Sequence, residues 1–274
     1  MPEIIPITDP ADPRLDAYRD IRERDLVGRR GRFVVEGEVV LRTAIRSGRH
    51  ELESVLLAEG RVARLADALA ELPAGAPVFS APQGVLDGVA GFHLHRGILA
   101  MGRQAQARTA DDLLGGLGGS ALVTVLMGIS NHDNVGGIFR NAAAFGVDAV
   151  LLDPACCDPY YRKAIRVSVG GTLIVPFARL APREDPVDLL VRRGFEVAAL
   201  SPSGGGRLAD FQPKGRSAIV LGAEGAGLPA AVLARTRAVG IRMAGGFDSL
   251  NVATTSGIVL HHLHALREPA ASHE

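Results

Sequence analysis

Apolar positions follow two patterns along the chain, and the change between them divides it. Beyond residue 120, apolar runs without alternation occur at 121–127, 149–152, 197–200 and 218–221. Runs of that length without alternation suit strands buried on both faces of a parallel sheet. Helical segments are predicted between and after them at 136–145, 159–169, 186–193 and 229–235, and a longer helix over 250–266 closes the block. The pattern predicts an open α/β sheet, with its ligand crevice at the carboxyl ends of the strands.

The earlier block, up to residue 102, alternates shorter pieces. Residues 14–29 have helical composition, 31–35 (GRFVV) a short strand pattern, and 38–47 a helix pattern that Gly48 closes. Strands are predicted at 54–58, 77–80 and 97–101, with a helix at 61–72. This order predicts a small α/β layer structure. Between the blocks, 103–120 (RQAQARTADDLLGGLGGS) is polar and rich in glycine, with one short helical patch, and reads as a linker. The expected organisation is therefore 1–102, a linker over 103–120, and 121–274.

Composition changes this picture in three places. The chain has 274 residues and is 47% hydrophobic, enough to bury a sizeable core in two domains. Aromatics are 4% of residues with no Trp, which disfavours binding through rows of stacked rings. Formal net charge is zero, so no global field draws the protein to nucleic acid. The local distribution differs: the only lysines are Lys163 and Lys214, whereas arginines crowd 14–49 at Arg14, Arg19, Arg22, Arg24, Arg29, Arg30, Arg32, Arg42, Arg46 and Arg49. Acidic residues are interspersed, which leaves open a solvated helical face or a phosphate-contacting surface.

The adjacent Cys156 and Cys157 form no disulfide framework, and their surroundings lack zinc-site spacing. The N-terminal MPEIIPITDPADPRL has no basic region followed by an apolar stretch, so no secretory signal is expected. No apolar segment approaches the ~20 residues of a membrane span. The expectation is a cytoplasmic protein without membrane or metal.

Three segments follow strands and are polar where a plain loop need not be. In Asn131–Ala142 (NHDNVGGIFRNA), Asn131, Asp133 or Asn134 suits a helix N-cap. Arg140, one turn in and flanked by apolar residues, is expected near a buried interface or pocket. In 221–229 (LGAEGAGLP), three glycines after a strand permit close approach of a ligand, with Glu224 at the apex. No Lys-Ser/Thr follows, so this is no phosphate-binding P-loop. The spacing also departs from a dinucleotide fingerprint, which argues against a nicotinamide oxidoreductase. In 241–252 (IRMAGGFDSLNV), Asp248 or Ser249 would cap the last helix and Asn251 would fall in its first turn. His261, His262 and His264 lie on that helix without acidic partners and are read as surface or contact residues.

In this order and spacing the three segments resemble the motifs of the SpoU (TrmH-like) family of SPOUT-class RNA ribose methyltransferases. Asn134, Gly136 and Arg140 match the first motif, Gly222, Glu224, Gly225 and Gly227 the second, and Ser249 to Val252 the third. Asp158–Ala164 and Ser168–Gly170 are also similar to the family. In the first block, Val35-Glu36-Gly37 and His95–Leu99 look like the family's small RNA-recruiting domain. The chain departs from the family at His132 or Asp133 and at Arg242, where Pro is usual, and at Ala253-Thr254-Thr255, where Ser-Val-Ala is common.

The resemblance implies a C-terminal parallel sheet with a deep trefoil knot, a rare exception to unknotted topology. It also implies a homodimer with the active site near the subunit interface. The implied reaction is methyl transfer from S-adenosylmethionine to a ribose 2′-hydroxyl of tRNA or rRNA. Arg140 would stabilise the developing alkoxide, and Asn134, Glu224, Ser249 and Asn251 would orient ribose or cofactor. Leu221, Gly222, Gly227, Ile241, Met243, Ser249 and Leu250 would hold the cofactor. The alternative is an RNA- or ribosome-binding protein that kept the fold and lost catalysis.

Overall fold

The structure is a computed structural model that describes residues 2–19, 21, 31–73, 75–202, 205–213, 215–225, 227–245 and 248–267. Of the sequence features above, most of the expected helix at 14–29, with Arg22, Arg24, Arg29 and Arg30, lies outside the described residues, as do Lys214, Ala226, Gly246 and Phe247. The chain forms two compact units, Met1–Gln106 with Asp158–Ile174, and Ala107–Cys157 with Val175–Glu274.

The first unit is built on a five-stranded sheet of β1 (Ile4–Pro6), β2 (Arg32–Glu36), β3 (Leu52–Ala58), β4 (Val78–Ala81) and β5 (Ile98–Arg103), in the order β1-β4-β3-β5-β2. The β1–β4 and β3–β4 pairs are parallel, whereas β5 runs antiparallel to both β3 and β2. Side chains alternate between two buried faces: Val34 and Leu56 enter one core with Tyr18 and Leu86. Phe33, Val35, Val55 and Leu57 enter the other. Helix α1 (Glu38–Ser47) stands where its pattern predicts it, closed by Gly48 at φ +58 in the left-handed region that glycine adopts freely. The helix predicted at 61–72 is mostly two 3-10 turns followed by the short α2 (Ala66–Ala70). A further helix, α3 (Gln83–Ala90), was not predicted, because Gly84 and Gly88 dilute its helical composition.

The chain enters the second unit through α4 (Ala110–Gly115), β6 (Ala121–Met127), α5 (His132–Ala144) and β7 (Ala149–Leu152). The segment Asp158–Ile174 then carries α6 (Arg162–Val167) and α7 (Gly171–Ile174) in the first unit. There Ile165 and Leu173 join the core of Leu41, Leu57 and Val78. The second unit resumes with β8 (Phe177–Arg179), α8 (Pro186–Arg192), β9 (Glu196–Leu200), β10 (Gly206–Arg207), β11 (Arg216–Gly222), α9 (Ala230–Leu233), β12 (Arg237–Gly240) and α10 (Val252–Arg267).

Its sheet order is β10-β12-β9-β11-β6-β7-β8 and every pairing is parallel. The central β6 and β11 are in register along their whole length, from Ala121 opposite Arg216 to Met127 opposite Gly222. Leu122, Leu126, Ile219 and Leu221 bury one face under α5 and α10. Val123, Val125, Ala218 and Val220 bury the other beneath α4 and α8. Burial on both faces is why these strands read as continuous apolar runs.

Candidate active site

The crevice lies on the side of the sheet that the chain reaches last. From β6 the chain proceeds to β7 and β8 on one side, then crosses to β9, β11 and β12 on the other. A cavity of about 840 Å³ opens at the carboxyl ends of β9, β11 and β12, the position expected for a ligand in an open α/β sheet. Leu221, Gly222, Glu224 and Gly227 line it from the end of β11 and the loop beyond; Ile241, Met243, Ser249, Leu250 and Asn251 line it from the segment between β12 and α10.

The glycine loop is shaped by close backbone contact. A Cβ on Gly222 would lie 2.6 Å from the carbonyl carbon of Gly227 and 2.8 Å from the amide nitrogen of Leu228, so no side chain fits there. Gly227 sits at φ +64 and donates its N–H to the Ala223 carbonyl at 3.0 Å, closing the turn. Glu224 is thereby carried at the tip, exposed at the mouth of the cavity.

Three side chains from the three polar segments meet at that tip. The Asn134 Nδ2 donates to Glu224 Oε1 at 3.0 Å, and Asn251 Nδ2 donates to the same oxygen at 2.8 Å. Asn251 Nδ2 also reaches Asn134 Oδ1 at 2.9 Å. The other end of Asn251 is occupied too, because its Oδ1 accepts from the backbone N–H groups of Ala253 at 2.9 Å and Thr254 at 3.2 Å. Asn251 is therefore itself the cap of α10, in place of Asp248 or Ser249. With both amides committed, the acceptor left for a ligand is Glu224 Oε2, which makes no hydrogen bond among the described residues. It suits a hydroxyl or a cation.

The supports run deeper into α5 and α10. Helix α5 starts at His132, earlier than its apolar pattern suggested, because Asn131 Oδ1 accepts the Asp133 N–H at 2.8 Å and caps it. The early start places the buried Asn134 in the first turn, facing Glu224. Where α5 meets α10, a Cβ on Gly137 would lie 2.7 Å from that of Ala253. Asn141 Nδ2 donates to the Ala253 carbonyl at 2.8 Å and to Ser256 Oγ at 2.9 Å.

Arg140 lies elsewhere. It is exposed on α5 and is absent from the cavity lining, and among the described residues no hydrogen bond or ion pair engages its guanidinium. Of the two settings its apolar neighbours suggested, a pocket or a buried interface, this cavity is not the pocket. Sequence reasoning also missed part of the cavity. Leu200, Ser201 and Pro202 line it just beyond β9, and Thr255 does so from α10. The rule that ligands sit beyond strand carboxyl ends could have found the first three. Cys156 is buried, its thiol pushed up to about 12 by burial and by Asp153, and it donates to the Leu126 carbonyl. His262 Nε2 lies 3.2 Å from the Phe211 carbonyl, and His261 meets the Phe145 ring edge to face. Among the described residues no cluster of His, Cys, Asp or Glu could hold a metal, and no helix is long and apolar enough to cross a membrane.

Comparison with known proteins decides the family. The model of the SpoU rRNA Methylase family matches residues 121–261. The chain is 38% identical over 266 residues to an uncharacterized tRNA/rRNA methyltransferase of Mycobacterium bovis, covering 93% of this chain and 90% of that one. The chain belongs to the SpoU rRNA methylase family. Among solved structures, an RNA 2′-O ribose methyltransferase superposes with TM-score 0.76 at 25% identity over 96% of this chain and 99% of its own. An AdoMet-bound rRNA methyltransferase from Sinorhizobium meliloti shares the fold at TM-score 0.79 and 21% identity, covering 97% and 99% of the two chains. The segments carrying Asn134, Glu224 and Asn251 all lie within the matched SpoU methylase region.

Proposed function

We propose that this SpoU methylase binds S-adenosylmethionine in the cavity beyond β9, β11 and β12 and methylates a ribose 2′-hydroxyl of structured tRNA or rRNA. The observation that carries the reading is the meeting of Asn134, Glu224 and Asn251 at the rim of that cavity. The residues present fit the cofactor. Leu221, Ile241 and Leu250 offer an apolar setting for adenine, and the bare backbone of Gly222 and Gly227 permits close approach. The remaining acceptor on Glu224 suits a ribose hydroxyl. Met243 and Ser249 complete the binding set.

When bound, S-adenosylmethionine supplies a methyl group on a sulfonium, a strong electrophile. The chain's own contribution is to place and polarise the accepting oxygen. Arg140 meets that oxygen with its guanidinium and stabilises the charge that develops there as the proton leaves to water or an RNA phosphate. A guanidinium holds its proton to above about pH 12, which rules it a stabiliser and not a base. Its exposure supports a group that meets RNA and not cofactor. It also supports a site completed by a second copy, as do Ile258 and Leu266, exposed on α10. Asn134 and Asn251 hold Glu224 in place. The parallel order β12-β9-β11-β6 supports a knotted threading of the loops after β11 and β12. The first unit recruits the RNA, and the working compartment is the cytoplasm.

The test pairs two readouts. Calorimetry should detect S-adenosylmethionine binding to the wild-type protein, and a tritiated methyl group should pass to RNA from cells lacking it. Binding without transfer to any RNA would favour a protein that has lost catalysis; no binding at all would overturn the cofactor assignment.

A further inference from the structure

Charge in the cavity beyond β9, β11 and β12 is of one sign. Leu200, Leu221, Leu233, Val239 and Ile241 give it an apolar lining. The charged side chains that line it are Glu224 and Asp248, and among the described residues no Lys, Arg or His joins them. Arg242 stands between the lining Ile241 and Met243, yet it is exposed and absent from the lining itself. The polar side chains that remain there, Ser201, Ser249, Asn251 and Thr255, are neutral.

The carboxylates of Glu224 and Asp248 differ in how firmly they are held. One oxygen of Glu224 is engaged by both Asn134 and Asn251. Asp248 is exposed, and its Oδ1 accepts from the Ser249 hydroxyl at 3.4 Å, long for a bond between oxygens. Among the described residues its carboxylate makes no other hydrogen bond and no ion pair. Asp248 is thus the member of the pair with most capacity left for a ligand, and it is not built into the amide cluster that supports α5 and α10.

Unbalanced carboxylates beside an apolar lining repel a nucleotide phosphate and attract a net cation, so they discriminate by charge as well as by shape. S-adenosylmethionine carries a sulfonium and an ammonium against a single carboxylate, and is a net cation. In methyl transfer the bond from sulfur to the methyl carbon breaks, its electron pair stays on sulfur, and a bond from the ribose oxygen to that carbon forms. The hydroxyl proton leaves to water or an RNA phosphate. The thioether product keeps the ammonium and carboxylate but has lost the sulfonium charge, so it is neutral overall. We propose that the anionic lining, and Asp248 in particular, distinguishes the charged donor from its neutral product, so that transfer itself loosens the spent ligand. Asp248 is a specificity-determining residue in this account and takes no part in the bond exchange. The inference rests on the reading of this cavity as the S-adenosylmethionine site, and names the property of the ligand that the site recognises.

The experiment is calorimetry on the full chain with three ligands. They are S-adenosylmethionine, its thioether product S-adenosylhomocysteine, and sinefungin, which bears an ammonium in place of the methylated sulfonium and transfers nothing. Wild type is expected to bind both cationic ligands more tightly than the thioether, by a ratio that shrinks as KCl is raised. Asp248→Asn keeps the size of the side chain and removes its charge. It should lower that ratio by about 2–5-fold, the scale of one exposed ion pair, through weaker binding of the cations alone. Affinity for S-adenosylhomocysteine should stay at the wild-type value, and Asp248→Glu should restore the ratio. The side chain is exposed, so the fold is retained, which circular dichroism verifies. Equal binding of all three ligands by wild type, or an unchanged ratio in Asp248→Asn, would overturn the proposal and leave the methyl-donor reading standing. Failure of all three to bind would overturn that reading, and the proposal with it.

Discussion

The two units solve burial in different ways, and their chemistry follows. The first unit has a mixed sheet whose strands alternate between two cores, and its polar groups are arginines and carboxylates paired at the surface, such as Arg42 with Asp67 and Arg32 with Glu53. The second has an all-parallel sheet with a polar cluster at the carboxyl ends of β9, β11 and β12. Its site is made of two amides and one carboxylate over an apolar cavity. A parallel sheet concentrates successive loops at one edge, so residues about 90 and 117 positions apart can meet there. A mixed sheet disperses its loops, and the first unit instead presents charge on a surface. On the proposed reading, cofactor and transfer belong to the second unit and RNA contact to the first.

The largest effect expected from breaking this division is at Gly222. Gly222→Val forces a side chain into the Gly227 backbone and should abolish S-adenosylmethionine binding by calorimetry, while RNA affinity stays at the wild-type value. Arg140→Ala should sharpen the division within the second unit: transfer falls by about 10²–10³-fold, the usual loss for one group that stabilises developing charge, with cofactor affinity within a few-fold. Full turnover by this variant would remove Arg140 from the chemistry.

Asn141→Ala deletes two hydrogen bonds between α5 and α10 and should cost about 1–3 kcal/mol, read as a lower midpoint of chemical denaturation. Because α10 carries Asn251, turnover should fall more than affinity for RNA. The smallest effect belongs to the first unit. Burial, and then the nearby Arg49, push His50 from 6.5 down to about 4. The folded state thus resists a proton that the unfolded state accepts, so stability is full above pH 6.5 and is lost as pH falls toward 4. Since the ring keeps some exposure, the loss is about 1–2 kcal/mol. His50→Gln should flatten the profile in that window.

Much of this was legible in the residues. The strands at 121–127 and 149–152 carry the bounds their apolar runs predict, because burial on both faces leaves no polar position to blur an edge. The motif residues were named in order, yet their spacing could not show that Asn134 and Asn251 share one oxygen of Glu224. Short strands such as β8 (FAR) and β12 (RAVG) were missed, since a charged residue or a glycine in each leaves no apolar run to read. Least legible was Asp158–Ile174. Its helix pattern looks like any other in the second half of the chain, and only the burial of Ile165 and Leu173 among Leu41, Leu57 and Val78 reveals its partners. Deleting residues 1–110 would strip that cover from Ile165 and Leu173, so point variants test the first unit more cleanly than truncation.

The most direct measurement of the central claim is where the methyl group lands. RNA from cells lacking the protein, treated with the purified enzyme and S-adenosylmethionine, is digested to nucleosides and analysed by mass spectrometry. The account predicts a 2′-O-methylated nucleoside that wild type produces and Arg140→Ala does not. A methyl group found on a base, or the same product from both proteins, would contradict it.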